Sequence, residues 1–154
     1  MLRISRSVPV AIPAALLCLV PLAYSRAAGE ECRASVKAAV EKAHLGGKLH
    51  TCKQEKEDGR VQYQVKLEEK TGQKLEIDVT PDGTILQTEE KVSVDSLPAT
   101  VSKAFATKYP KAIPKRAEQQ THGDGKVSYE IAFATDKGHK EATFSEGGQF
   151  MEEE

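Results

Sequence analysis

The sequence predicts an α+β fold made of two tandem repeats, each a helix packed on a four-stranded antiparallel sheet. Three observations carry this. Asp58-Gly59-Arg60-Val61-Gln62-Tyr63-Gln64-Val65-Lys66-Leu67 matches Asp124-Gly125-Lys126-Val127-Ser128-Tyr129-Glu130-Ile131-Ala132-Phe133 at an offset of 66. At an offset of 65, Val36, Ala39, Val40 and His44 match Val101, Ala104, Phe105 and Tyr109, and Val79, Gly83 and Ile85 match Phe144, Gly148 and Phe150. In both stretches, apolar residues spaced by three and four give way to strict alternation, the change from helical to strand period. The repeats run over 31–92 and 95–154, and the two sheets are expected to meet at or near their edges.

Residues 1–27 read as a cleaved signal peptide. Arg3 and Arg6 lead, residues 8–24 carry no charge, and Ser25-Arg26-Ala27 is a small-x-small site. The apolar run is too short for a membrane span of about 20 residues and is broken by Pro9, Pro13 and Pro21. Leu16-Leu17 before Cys18 is not a lipidation site. The expected location is the periplasm or the outside of the cell, with no membrane attachment after signal removal.

The first helix shows Cys32, Val36, Ala39, Val40 and Ala43 on one face, and Gly46-Gly47 stops it. A strand over about 49–57 precedes the turn at Asp58-Gly59. Val61, Tyr63, Val65 and Leu67 then alternate with Gln62, Gln64, Lys66 and Glu68. Leu75, Ile77 and Val79 continue the pattern, Pro81-Asp82-Gly83 turns the chain, and 84–92 returns. In the second repeat Asp95 or Ser96 can cap a helix that has Pro98 in its first turn and Pro110 beyond its end. Residues 139–145 are poor in large apolar side chains, so this strand is expected to be short or at an edge.

The whole chain holds 22 basic and 23 acidic residues, with no basic excess to suggest nucleic acid. Removing 1–27 takes three arginines and no acid, leaving 19 against 23, a net charge of −4. Hydrophobic residues at 39% and charged residues at 29% exclude a multi-span membrane protein.

Cys32 and Cys52 remain after cleavage. Two cysteines in an exported chain suggest one disulfide. They align with Leu97 and Ala117, both core-facing in the second repeat; the alternative is two buried free thiols.

Leu97-Pro98-Ala99 with Val101, Ala104-Phe105 and Tyr109-Pro110, the Asp124-Gly125-Lys126 turn, the Tyr129-Glu130-Ile131 strand and Pro81-Asp82-Gly83-Thr84-Ile85-Leu86 resemble the PepSY-like family of β-lactamase-inhibitor-like type. The resemblance covers 31–154. It implies exported α+β modules that bind other proteins and are often proposed to restrain peptidases or other enzymes. It implies no catalytic residues. The first repeat departs from the pattern, with Leu45-Gly46-Gly47 where Tyr109-Pro110 would recur.

Residues 78–89 place Asp78, Thr80, Asp82, Gly83, Ile85 and Glu89 at calcium-loop positions 1, 3, 5, 6, 8 and 12. Strand alternation over 73–79 leaves no entering helix, so a β-turn is the better reading and calcium the alternative. His44, His50, His122 and His139 lack helical metal spacing, although His44 to Cys52 could gather three soft ligands. No cofactor or metal is expected.

No nucleophile, acid and base set is visible, so the chain is read as non-catalytic. The expected function is binding an unidentified exported protein, with inhibition or modulation of a secreted enzyme such as a peptidase. The alternative is a structural or stress-related periplasmic protein. The outward strand residues are Gln62, Gln64, Lys66, Glu68, Lys74, Glu76, Ser128, Glu130 and Thr143. Of these, Gln62, Gln64, Lys66, Lys74, Glu76 and Glu130 form the candidate partner face. Without an aromatic anchor, affinity there should be modest.

Overall fold

The computed structural model describes residues 32–57, 59–136 and 138–154. The signal-peptide reading of 1–27 and the reading of Cys18 lie outside them.

The described chain builds one eight-stranded antiparallel sheet, with strands neighbouring one another in sequence order. Helix α1 (Ala34–Ala43) precedes β1 (Lys48–Glu57), β2 (Arg60–Glu68), β3 (Lys74–Val79) and β4 (Ile85–Val92). Helix α2 (Ala99–Lys108) precedes β5 (Ile113–His122), β6 (Val127–Thr135), β7 (Gly138–Ser145) and β8 (Phe150–Glu153). The expectation of two tandem helix-on-four-strand repeats is therefore corrected: the fold is mostly β, a single sheet carrying two short helices, in which the expected meeting of sheet edges is a continuous pairing. The join lies between β4 and β5, where Gln87 to Val92 pair with His122 to Ala117 without a register shift. That pairing satisfies backbone donors and acceptors that two free edges would leave open.

Both helices lie on the same sheet face. Val36 and Val40 of α1 pack on Tyr63, Val65, Leu67, Leu75, Ile77 and Val79. Val101 and Phe105 of α2 pack on Ala117, Tyr129, Ile131, Phe133, Ala142 and Phe144. The two cores stay separate because this face carries polar Thr88, Glu90, Gln119 and Thr121 at the β4–β5 join. There Gln73 Nε2 donates to Glu90 at 3.0 Å, and the Tyr129 hydroxyl donates to Gln119 at 3.2 Å. Each buried aliphatic or aromatic side chain contributes about 1.5–3 kcal/mol. Loss of Ile77 or Phe133, both essentially inaccessible, would open a cavity in the middle of its core. Val61 shares this face in period but lies at the end of β2 and is exposed.

Each helix is latched to a hairpin turn. Ser35 Oγ donates to the Pro81 carbonyl at 2.7 Å, and Thr100 Oγ1 donates to the Glu146 carbonyl at 2.8 Å. Gly83 and Gly148, both at positive φ, allow these turns to approach the helices. A disulfide joins Cys32, just before α1, to Cys52 on β1, with Cα atoms 5.4 Å apart.

Two local expectations are also corrected. Neither Asp95 nor Ser96 caps α2: Val94–Ser96 forms a separate 3-10 turn, in which Ser93 accepts from the Asp95 amide, and Pro98 stands at the helix N-cap. The strand poor in large apolar residues, β7, is eight residues long and interior, paired to β6 and β8. Small Ala142 and Thr143 are buried there beside Phe144, so the strand fits because it is slim. The edges are β1, rich in Lys and Glu, and the four-residue β8. A charged edge and a short one both discourage further strand pairing.

Candidate functional site

Among the described residues, no helix lies on the second sheet face. Because strand side chains alternate, every residue between the core positions of β2, β3 and β6 points to it. The register sets these residues in rows across the sheet. One row runs Lys66, Glu76, Glu89, Gln120 and Ser128. The next runs Lys91, Glu118, Glu130 and Thr143. A third runs Gln64, Asp78, Gln87 and His122.

All six residues of the candidate partner face, Gln62, Gln64, Lys66, Lys74, Glu76 and Glu130, therefore lie on this open side. They are not equally available. Lys66 Nζ donates to Glu76 at 2.7 Å, a bond that raises the lysine pKa. Gln62 is buried and donates to Glu57 at 2.5 Å. Ser128 and Thr143, read as outward, do face this side but are 1% and 5% exposed, enclosed by longer neighbours.

Sequence reasoning did not assign the centre of the face: Arg116, Glu118, Gln120 and Glu141 were not singled out, and Asp78 and Glu89 were named only as calcium-loop positions. Ser128 Oγ donates to Gln120 Oε1 at 2.9 Å. With that proton committed, Ser128 accepts from His122 Nε2 at 2.8 Å. Gln120 Nε2 lies 3.3 Å from Glu89 and 3.4 Å from Glu130, and Gln87 donates to Glu89 at 2.6 Å. Arg116 bonds Glu141 at 2.6 Å and stands 3.5 Å from Glu118 and 3.8 Å from Glu130.

The field here is negative. Burial, with Glu141, Glu118 and Glu89 nearby, pushes Glu130 up to about 7 against the opposing pull of Arg116. Burial and the acids Glu89, Glu57, Glu55 and Glu76 raise Asp78 to about 6. Burial also raises Glu89.

The calcium-loop positions do not converge. Asp78 lies on β3 and Glu89 on β4, both on the open face, while Asp82 sits in the turn. There it accepts from the Thr80 hydroxyl and, at 3.1 Å, from the Thr84 amide, which lower its pKa. His44 Nδ1 bonds Glu69 at 2.9 Å, and Cys52 is held in the disulfide. Among the described residues, no group of three or more His, Cys, Asp or Glu side chains is placed to hold a metal ion.

No protein-family model and no curated protein matches the chain. Solved structures do. A BLIP-like protein from Bacteroides fragilis NCTC 9343 superposes with a TM-score of 0.62 at 19% identity, over 80% of this chain and 85% of that one. The chain has a BLIP-like fold. A DUF2874 family protein from Bacteroides uniformis ATCC 8492 shares the BLIP-like fold with a TM-score of 0.66 at 12% identity, over 80% and 88%. A candidate periplasmic protein from Bacteroides eggerthii DSM 20697 matches with a TM-score of 0.65 at 15% identity, over the same shares. Identities this low speak to the fold alone. No helix among the described residues is long and apolar enough to cross a membrane.

Proposed function

We propose that the chain is an exported, non-catalytic protein-binding module, acting in the periplasm or outside the cell, that holds a secreted enzyme such as a peptidase on its open sheet face and restrains or modulates it. The observation that carries this is the face itself: among the described residues, both helices occupy the other side of the sheet. A broad polar surface on a rigid sheet suits docking better than turnover.

The non-catalytic reading has further support. The one Ser–His contact on the face, Ser128 with His122, is buried, and the serine proton is committed to Gln120. A nucleophile needs access to substrate and a free base. The Cys32–Cys52 bond suits an oxidising compartment. The quoted motifs support a PepSY-like relationship, and a neighbour of the same fold carries the periplasm in its name.

The test is to capture the partner from a periplasmic extract and map its footprint by hydrogen exchange. Protection of β2 to β6 amides beneath the open face, with capture altered by Lys66→Glu and Lys74→Glu together, is the expected result. A footprint confined to the helices or hairpin turns would move the site. Turnover of a substrate, lost on a single substitution, would replace the binding reading.

A further inference from the structure

The centre of the open face is negative, but the cavity toward its β1 end carries both signs. It holds about 220 Å³, and Lys66, Lys74 and Lys91 line it together with Glu76, Glu89 and Glu118. Lys66 is bonded to Glu76 at 2.7 Å, and its charge also acts on Glu118 and Glu55. Lys74 and Lys91 are exposed and, among the described residues, form no ion pair. The register sets one acid opposite each of them, and both acids are engaged elsewhere. Glu68, opposite Lys74, bonds His50 at 3.1 Å; Glu118, opposite Lys91, has Arg116 at 3.5 Å. Leu75 pairs with Glu90, so the next step of the same register sets Lys74 beside Lys91 on adjacent strands. Like charges side by side destabilise a sheet.

A second, independent feature marks the same wall. Thr51 Oγ1 is a buried side-chain oxygen with no hydrogen-bond partner among the described residues. Buried hydroxyls are almost always bonded. Thr51 pairs with Lys66 across the register and follows His50 along β1, and both of those residues line the cavity. A hydroxyl donates readily to a carboxylate. One corner of the face therefore holds two unpaired ammonium groups and an unused hydroxyl donor, and all three suit an acceptor.

Resting on the docking-face reading above, we propose that this cavity seats a carboxylate side chain, glutamate or aspartate, presented by the partner protein, with its two oxygens shared between Lys74 and Lys91. The seat fits one isolated carboxylate. Glu76, Glu89 and Glu118 line the same cavity and would repel the successive charges of a nucleic-acid strand or an anionic membrane. Leu67 and Leu75 also line it, and the lysine stems are apolar, so the methylene groups that lead to the carboxylate find cover. A volume of about 220 Å³ admits one side chain rather than a folded loop. Charged contacts at a rim govern association rate and salt sensitivity, so binding should weaken as salt rises.

The test uses the purified protein and two blocked five-residue peptides that differ only in a central glutamate or glutamine. NMR titration should show the glutamate peptide shifting the side-chain signals of Lys74 and Lys91 and the amide of Thr51, with no shift there from the glutamine peptide. Lys74→Gln with Lys91→Gln should weaken the glutamate peptide about tenfold. Glutamine at both positions removes a repulsion, so the fold is retained. Equal shifts from the two peptides, unchanged affinity in the double variant, or shifts confined to other residues would overturn the proposal. So would phosphatidylglycerol vesicles that bind more tightly than the peptide through the same two lysines. If the captured partner protects the open face while the glutamate peptide does not bind it, the carboxylate seat fails and the docking face stands. If the partner protects another surface, the docking face fails, and with it the partner as the source of the carboxylate.

Discussion

Glu118 and Glu130 are cross-strand neighbours, two carboxylates opposite one another on the open face of the sheet. Arg116 serves both only at the margin of its reach, 3.5 and 3.8 Å away, while its close bond goes to Glu141. A surface arranged for stability alone would place a lysine at one of these positions.

The cost should be visible as pH-dependent stability. Glu130 has a folded pKa near 7, above its ordinary value of 4.5. Between those values the folded state binds more protons than the unfolded one, so stability falls as pH rises through that window. Glu130→Gln removes the penalty above pH 7 and changes little below pH 4.5. Its side chain is 21% exposed, so we expect a gain on the order of 2 kcal/mol at pH 8. Thermal melts of both proteins at pH 4 and pH 8 check this. A variant no more stable at pH 8 than at pH 4, relative to the parent, would contradict it.

The disulfide should matter chiefly to the core beneath α1. Its cysteines are 20 residues apart in sequence, and closing a loop of this size contributes about 3 kcal/mol in the loop-entropy account. Non-reduced protein should show no titratable thiol from this pair. Cys32→Ser with Cys52→Ser should lower stability by roughly that amount, with hydrogen exchange rising first in α1 and β1. Two titratable thiols in the oxidised protein would exclude the bond.

The elements were legible in the sequence where one physical signal dominated. Val61 to Leu67 and Leu75 to Val79 alternate so strictly that β2 and β3 could be read directly, and Val36, Val40, Val101 and Phe105 announced the buried helix faces. The meeting of the two sheets at their edges was expected, but the register that fuses them into one sheet was not legible. Its deciding contact is β4 on β5, made by Gln87, Thr88, Glu89, Glu90 and Gln119 to His122, where both faces are polar and no apolar period reveals the pairing. Backbone hydrogen bonds hold that join, and they leave no mark in side-chain pattern. The centre of the open face was missed for the same reason. Glu130 was found because it lies between Tyr129 and Ile131; Glu89 was read only as a calcium-loop position, and Glu118 and Gln120 sit in a strand with few apolar residues to mark its faces.

Gly83 and Gly72 offer a controlled comparison of backbone strain with steric contact. Both have positive φ. A Cβ on Gly72 meets nothing within 4 Å, whereas one on Gly83 would stand 2.9 Å from the Ser35 carbonyl oxygen. Gly72→Ala should cost about 1 kcal/mol from conformation alone. Gly83→Ala should cost more, since the turn must pull back from α1 and strain the Ser35–Pro81 bond. Gly148→Ala should resemble it, its Cβ meeting the Thr100 carbonyl oxygen at 2.7 Å. Urea denaturation of the three variants ranks them. Equal losses would mean that the helix latches are looser than the contacts indicate.

The hairpin that imitates a calcium loop provides a last check. A calcium site needs six to eight oxygens converging on one ion at 2.3–2.6 Å. Here Asp78 and Glu89 point to the open face from two different strands and are not register partners. Asp82 turns to the Thr80 hydroxyl and the Thr84 amide. Any ion bound only by the folded state must raise its stability, by about 2.7 kcal/mol at a hundred times its Kd. Melting curves at pH 7.5 should therefore coincide in millimolar calcium and in excess chelator. Magnesium at the same ionic strength controls for general screening, which would ease the repulsion among Glu89, Glu118 and Glu130 with either ion. A rise of several degrees in calcium alone would mean that the turn rearranges to bring Asp78, Asp82 and Glu89 together, and the hairpin reading of residues 78–89 would fall.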